Sequence, residues 1–161
     1  MISRFRRLAI AGFTLCVIFF TAPLFANAED GVTPLRTESL VVRSGDREHN
    51  FEVEVAETDR QRAKGLMFRE EMPADKGMLF VFAAEGDRYF WMKNTPLPLD
   101  IIYINAAGRI VSIAADTTPF SEDVIPSAGP AKFVLELNAG TSARLGIDPG
   151  DMVSSPSMAK D

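Results

Sequence analysis

The chain reads as a mostly β (β-rich α+β) domain, a compact antiparallel or mixed small barrel or sandwich of about seven to eight strands with two short helices. Three observations predict it. Apolar residues alternate with glutamates over Phe51, Val53 and Val55, the period of a half-buried strand. Short continuous apolar runs, Met78 to Phe82 and Ile101 to Ile104, read as central strands covered on both faces or as walls of a small closed barrel. Turn residues separate these segments, and only two stretches carry helix signals, each for a couple of turns.

Taken in order, residues 29 to 36 are polar, without period, and read as a flexible leader. Leu40 to Val42, a Ser44-Gly45-Asp46 turn and Phe51 to Val55 make a hairpin. Thr58-Asp59-Arg60-Gln61 has the form of a capping box, so a helix starts there and stops at Gly65. After a charged loop come the Met78 to Phe82 strand and a strand from Arg88 to Met92. The Trp91 to Asp100 stretch follows, then Leu99 to Ile104, a turn at Asn105 to Gly108, and Ile110 to Ile113. Residues 116 to 130 hold three prolines and one glycine and form the longest loop, a common place for function. Lys132 to Asn138 is a strand, Ala139 to Gly146 a short helix, and Met152-Val153 a last strand. The domain spans residues 37 to 153, and 154 to 161 read as a frayed tail.

The N-terminus carries a cleavable signal peptide over residues 1 to 28. Arg4, Arg6 and Arg7 form the basic region, Leu8 to Phe20 the apolar core, and Ala26-Asn27-Ala28 the cleavage site. An uncleaved anchor is the alternative, though the apolar core is shorter than the ~20 residues that span a bilayer. General secretion to the periplasm is expected. Cleavage removes Cys16, the only cysteine, so disulfide, thiolate-metal and cysteine-nucleophile chemistry leave with it. The remaining 133 residues suffice for one domain without covalent staples. They carry fourteen basic and twenty-two acidic residues, net −8, which argues against nucleic acid or anionic membrane as partner. A monomer is expected.

Several blocks stand in register: Gly65-Leu66-Met67-Phe68-Arg69, Gly77 to Phe82, Trp91-Met92-Lys93-Asn94-Thr95, Leu99-Asp100, Val134-Leu135-Glu136-Leu137 with Ala139-Gly140, and Leu145-Gly146-Ile147 with Gly150-Asp151. In this order and spacing they resemble the domain of unknown function 192 family of bacteria and archaea, over about residues 50 to 153. The resemblance implies a compact β-rich domain, commonly exported, with no established activity, cofactor or substrate. One departure is Ile125 before Pro126-Ser127, where an aromatic residue would be expected. It weakens any stacking role for that loop.

The candidate site is Trp91, Lys93, Asn94, Thr95 and Asp100. Ammonium, amide, hydroxyl and carboxylate would converge there on a small polar ligand, with Phe90 and Trp91 as an apolar wall. Against this, Asn94 and Thr95 can bond local backbone, and Asp100 can satisfy the amides of a neighbouring loop. Asp100 and Glu136 are the only acids set among strongly apolar residues. As a pair, with Lys93 as stabiliser, they would suit a cofactor-free hydrolase or lyase. Strand alternation equally places Glu136 on a wet face between Leu135 and Leu137. Met67, Met78, Met92 and Met152 with His49 could be assembled into a copper(I) site, but no Met-x-Met or Met-x-x-Met cluster supports it, and methionine is a routine core filler. His49, among Arg47, Glu48 and Asn50, reads as exposed. No nucleophile elbow or phosphate loop is present. The expectation is a binding module for a small polar ligand, an envelope glycan or an envelope protein, without cofactor or metal. The hydrolase or lyase is the alternative, and a purely structural motif with function on another face is the third reading.

Overall fold

A computed structural model describes residues 34–159. The expected export segment and the leader up to Thr33 lie outside the described residues, as do Lys160 and Asp161.

The strands are β1 (Thr37–Ser44), β2 (Arg47–Ala56), β3 (Lys76–Gly86), β4 (Tyr89–Phe90), β5 (Leu99–Ile104), β6 (Ile110–Ala114), β7 (Ile125–Pro126), β8 (Ala131–Asn138) and β9 (Met152–Ser154). Two helices, α1 (Asp59–Lys64) and α2 (Thr141–Leu145), complete the fold. Seven strands form one mixed sheet in the order β6-β5-β8-β3-β2-β1-β9, and β4 pairs with β7 in a separate two-stranded piece. The mostly β expectation holds, with the mixed rather than the purely antiparallel arrangement.

The mixed character comes from one pair. β2 and β3 run parallel, with Val53 opposite Gly77 and Val55 opposite Leu79. Parallel neighbours need a long crossover, and α1 with the loop after it supplies one. Its apolar residues Leu66 and Met72 pack on one face of the sheet. Gly77 is required where β3 meets β8, because a Cβ there would stand 2.6 Å from the Glu136 carbonyl oxygen.

The continuous apolar runs are explained by cover on both faces. Along β5, Ile102 and Ile104 enter the core shared with Leu40, Val42, Phe51 and Val53, whereas Leu99, Ile101 and Tyr103 enter a second core with Met78, Phe80 and Met92. Along β8, Phe133, Leu135 and Leu137 take the first core and Val134 the second. The sheet curls enough for its edges to touch at one end. Arg109 bridges Met152, and the Val153 N–H donates to the Gly108 carbonyl at 2.7 Å.

Some sequence expectations are corrected. The strand expected from Arg88 to Met92 is limited to Tyr89–Phe90, since the Met92 N–H is drawn to the Ser121 carbonyl and the Thr95 N–H closes a turn onto Met92. The long loop is not free of strand, because Ile125–Pro126 pairs with β4. His49 lies within β2 opposite Val42 and is half-buried rather than exposed. The tail expected to fray is held in its described part. Ser154 ends β9, and Ser157 is buried, donating from its N–H (3.1 Å) and hydroxyl (2.8 Å) to Glu38.

Candidate functional site: an aromatic cleft floored by Glu136

On the face covered by the crossover, α1, the end of β3 and the β4 segment leave a cleft of about 370 Å³. Each wall has a local cause. The capping box forms as the sequence predicts, with the Gln61 N–H on Thr58 Oγ1 at 3.2 Å and the Thr58 N–H on Gln61 Oε1 at 2.9 Å. It fixes where α1 starts. Gly65 ends the helix at φ 46°, ψ −135°, a conformation open to glycine, and a Cβ there would come within 3.3 Å of the Phe80 ring. The bare backbone keeps that side of the cleft open.

Phe80 and Phe90 meet edge to face at 5.1 Å, and Phe90 meets Tyr103 the same way at 5.9 Å. The Tyr103 hydroxyl donates to the Ile125 carbonyl at 2.7 Å, so the β4–β7 piece is tied down on the sheet. Arg62 and Arg88 place their guanidiniums over Phe82 at 5.0 and 4.0 Å. Trp91, 46% exposed, and Tyr89, 68% exposed, stand at the mouth.

The floor is Glu136. It sits between Met78 on β3 and Ile101 on β5, and the residue is 5% exposed. Burial pushes its carboxyl up to about 8 from an ordinary 4.5, with no charge or hydrogen bond to offset the burial. At neutral pH the group is a carboxylic acid, able to donate and to accept at once. The same burial, with the Glu136 charge adding to it, raises the Tyr103 phenol. Alternation along β8 had equally placed Glu136 on a wet face. The structure corrects that, because both faces of β8 are covered. The usable signal was its place as the lone charge in Phe133 to Leu137.

Of the residues predicted from the sequence, Trp91 and Thr95 line the cleft. Lys93 does not. Its ammonium lies 5.0 Å from the Trp91 ring centre and 3.5 Å from Glu122. Asn94 takes φ 55°, and its carbonyl accepts the Phe68 N–H at 2.8 Å. Asp100 is wholly buried and accepts three backbone N–H groups, from Asp116 (3.0 Å), Gly140 (3.1 Å) and Ser142 (2.8 Å). It thereby caps α2 from outside, where the N-cap Gly140 has no side chain to do so. Asp100 shares the side of β5 that carries Ile102, and Glu136 shares the side of β8 that carries Val134, so the two acids lie on opposite faces of the sheet. They form no acid-base pair. Met78 and Met92 belong to the core, and among the described residues no group of three or more His, Cys, Asp or Glu is placed to hold a metal ion.

The residues that line this cleft, from Arg62 to Glu136, all fall within the stretch matched by one known family. The profile of DUF192, described as Uncharacterized ACR, matches residues 40–155. The chain belongs to the DUF192 family. A solved structure from Sinorhizobium meliloti 1021, described as a candidate transcription regulator, is similar at 41% identity and TM-score 0.77, covering 79% of this chain and 99% of that one. A protein of unknown function from Novosphingobium aromaticivorans DSM 12444 is similar at 43% identity and TM-score 0.74, covering 77% and 89%. No curated protein matches the chain. The family assignment covers every element from the cleft floor to its mouth, so in this DUF192 chain the site is part of the shared domain and not an appendage.

Proposed function

We propose that this DUF192 domain is a binding module whose cleft holds one ring of a small, uncharged, hydroxyl-bearing ligand, as a glycan would present. The observation that carries it is the Glu136 carboxyl, 5% exposed and facing the bottom of an aromatic-walled cleft, with burial alone setting its protonation. Closing a ligand over that carboxyl removes its access to water, and a ligand hydroxyl that both gives and takes a hydrogen bond would replace what is lost. Tyr89 and Trp91 offer rings for the apolar face of such a ligand. The volume is at the small end of ligand sites, which suits one ring.

The reading places the protein outside the cytoplasm, where the signal-like residues 1 to 28 would send it, as a monomer that meets a glycan or another envelope component. The net negative charge disfavours nucleic acid, so the description of the Sinorhizobium relative is not carried over. A hydrolase that pairs Asp100 with Glu136 and uses Lys93 is not favoured, because the geometry separates them.

Trp91 is the only tryptophan, so intrinsic fluorescence reports on the cleft mouth alone. Titration with a panel of neutral monosaccharides is expected to give a saturable emission change. In Glu136→Ala the change is lost while Asp100-dependent folding persists. A panel that leaves the emission untouched at millimolar concentration sinks the reading.

A further inference from the structure

The described part of the chain exposes six large hydrophobic residues, and five of them, Phe68, Tyr89, Trp91, Phe120 and Val124, come from three segments that are bonded to one another. The Phe68 N–H donates to the Asn94 carbonyl, the Phe120 N–H to the Thr95 carbonyl at 3.1 Å, and the Met92 N–H to the Ser121 carbonyl at 2.9 Å. Met67 and Thr95 line the cleft, so Phe68 adjoins one lining residue and Phe120 is tied to another.

Phe68 is 72% exposed at φ 64°, and Phe120 is 63% exposed at φ 60°. A bulky residue in the left-handed region is strained, and glycine or asparagine is the ordinary occupant. Such strain is offset when the ring packs into a core. Here both rings stand largely in water, so nothing inside the fold explains a phenylalanine at either place.

We propose that Phe68 and Phe120 are platforms for further rings of the ligand, so that the molecule bound is a neutral glycan chain with one ring in the cleft and its neighbours on these two side chains. This deepens the reading above and rests on it. Charge supports the choice of occupant. Glu70 and Glu71 lie just past Phe68 and Arg69, Glu122 and Asp123 follow Phe120, and the cations beside the two rings are already paired, Arg69 with Glu54 at 2.6 Å and Lys93 with Glu122 at 3.5 Å, so the surplus charge there is negative. A phosphate-bearing lipid surface or an anionic polymer would be repelled, whereas an uncharged polyhydroxyl chain carries no such penalty.

The test is a ladder of β-1,4-linked glucose and N-acetylglucosamine oligomers, one to six rings, titrated calorimetrically and by Trp91 fluorescence. Affinity is expected to climb about tenfold from one ring to four, the scale of one or two added aromatic contacts. Phe68→Ala and Phe120→Ala should each erase part of that climb while leaving single-ring affinity unchanged. Phe68→Gly and Phe120→Gly, relieved of the strained φ, should lose the same part of the climb and melt no lower than the parent. Single-ring binding that does not strengthen with length, or strengthens as steeply in both alanine variants, overturns the platform proposal and leaves the cleft reading standing. No binding at any length overturns the cleft reading first. Capture of anionic vesicles that depends on Phe68 and Phe120 would assign these rings to a membrane and overturn the glycan chain.

Discussion

Two buried acids, one on each face of the sheet, carry opposite consequences for stability. Glu136 is protonated in the fold and ionises near an ordinary 4.5 when the chain unfolds, against about 8 when folded. Between those values the native protein holds a proton that the unfolded chain has released. Stability therefore falls as pH rises across that window, by up to about 1.4 kcal/mol per pH unit, and levels off above it. Urea melts of Glu136→Gln at pH 5 and pH 8 are expected to show that slope removed, and a variant more stable than the parent at pH 8. Asp100 acts through its hydrogen bonds. Asp100→Ala strips three backbone N–H groups, one buried and two part-buried, of their acceptor and should cost about 3 kcal/mol by the same melts. Of these two residues the sequence revealed only the apolar setting. That Asp100 is a cap and Glu136 a cleft floor depends on which strands lie beside them, and one strand's own alternation holds no record of its neighbours.

At the scale of the element, local signals were legible and tertiary ones were not. The capping box of α1, the β1–β2 hairpin and the glycine stop at Gly65 are written in adjacent residues and stand as expected. The short β4 failed as a longer strand because its partner is the two-residue β7, which lies beyond β5 and β6 in the chain. The C-terminal turn was invisible for a similar reason, since its partner Glu38 lies 119 positions earlier. Burial alone would raise the Glu38 carboxyl, but bonds from Arg36 and Ser157 bring it below its usual value. Glu38 thus contributes stability above its unfolded pKa and loses it as pH falls through the folded one. Deleting residues 155 to 161 should therefore lower stability by about 2 kcal/mol at pH 7 and by much less near pH 3, read from thermal melts across that range.

At the scale of the molecule, composition and periodicity announced a β-rich domain, and the order β6-β5-β8-β3-β2-β1-β9 is what they could not announce. The apolar runs Met78 to Phe82 and Ile101 to Ile104 indicate two covered faces without saying which strand lies between them. That strand is β8, which comes late in the chain and pairs on one side with β3 and on the other with β5. The cleft inherits this dependence, because its floor is on β8 and its walls are on earlier elements. Timing follows from the same placement. A growing chain that has not yet delivered Ala131–Asn138 owns two unconnected strand groups and no floor between them, so native structure waits for nearly the whole polypeptide to be made. Under the export proposed above, such a late keystone strand would keep the passenger open until its passage through the channel is complete.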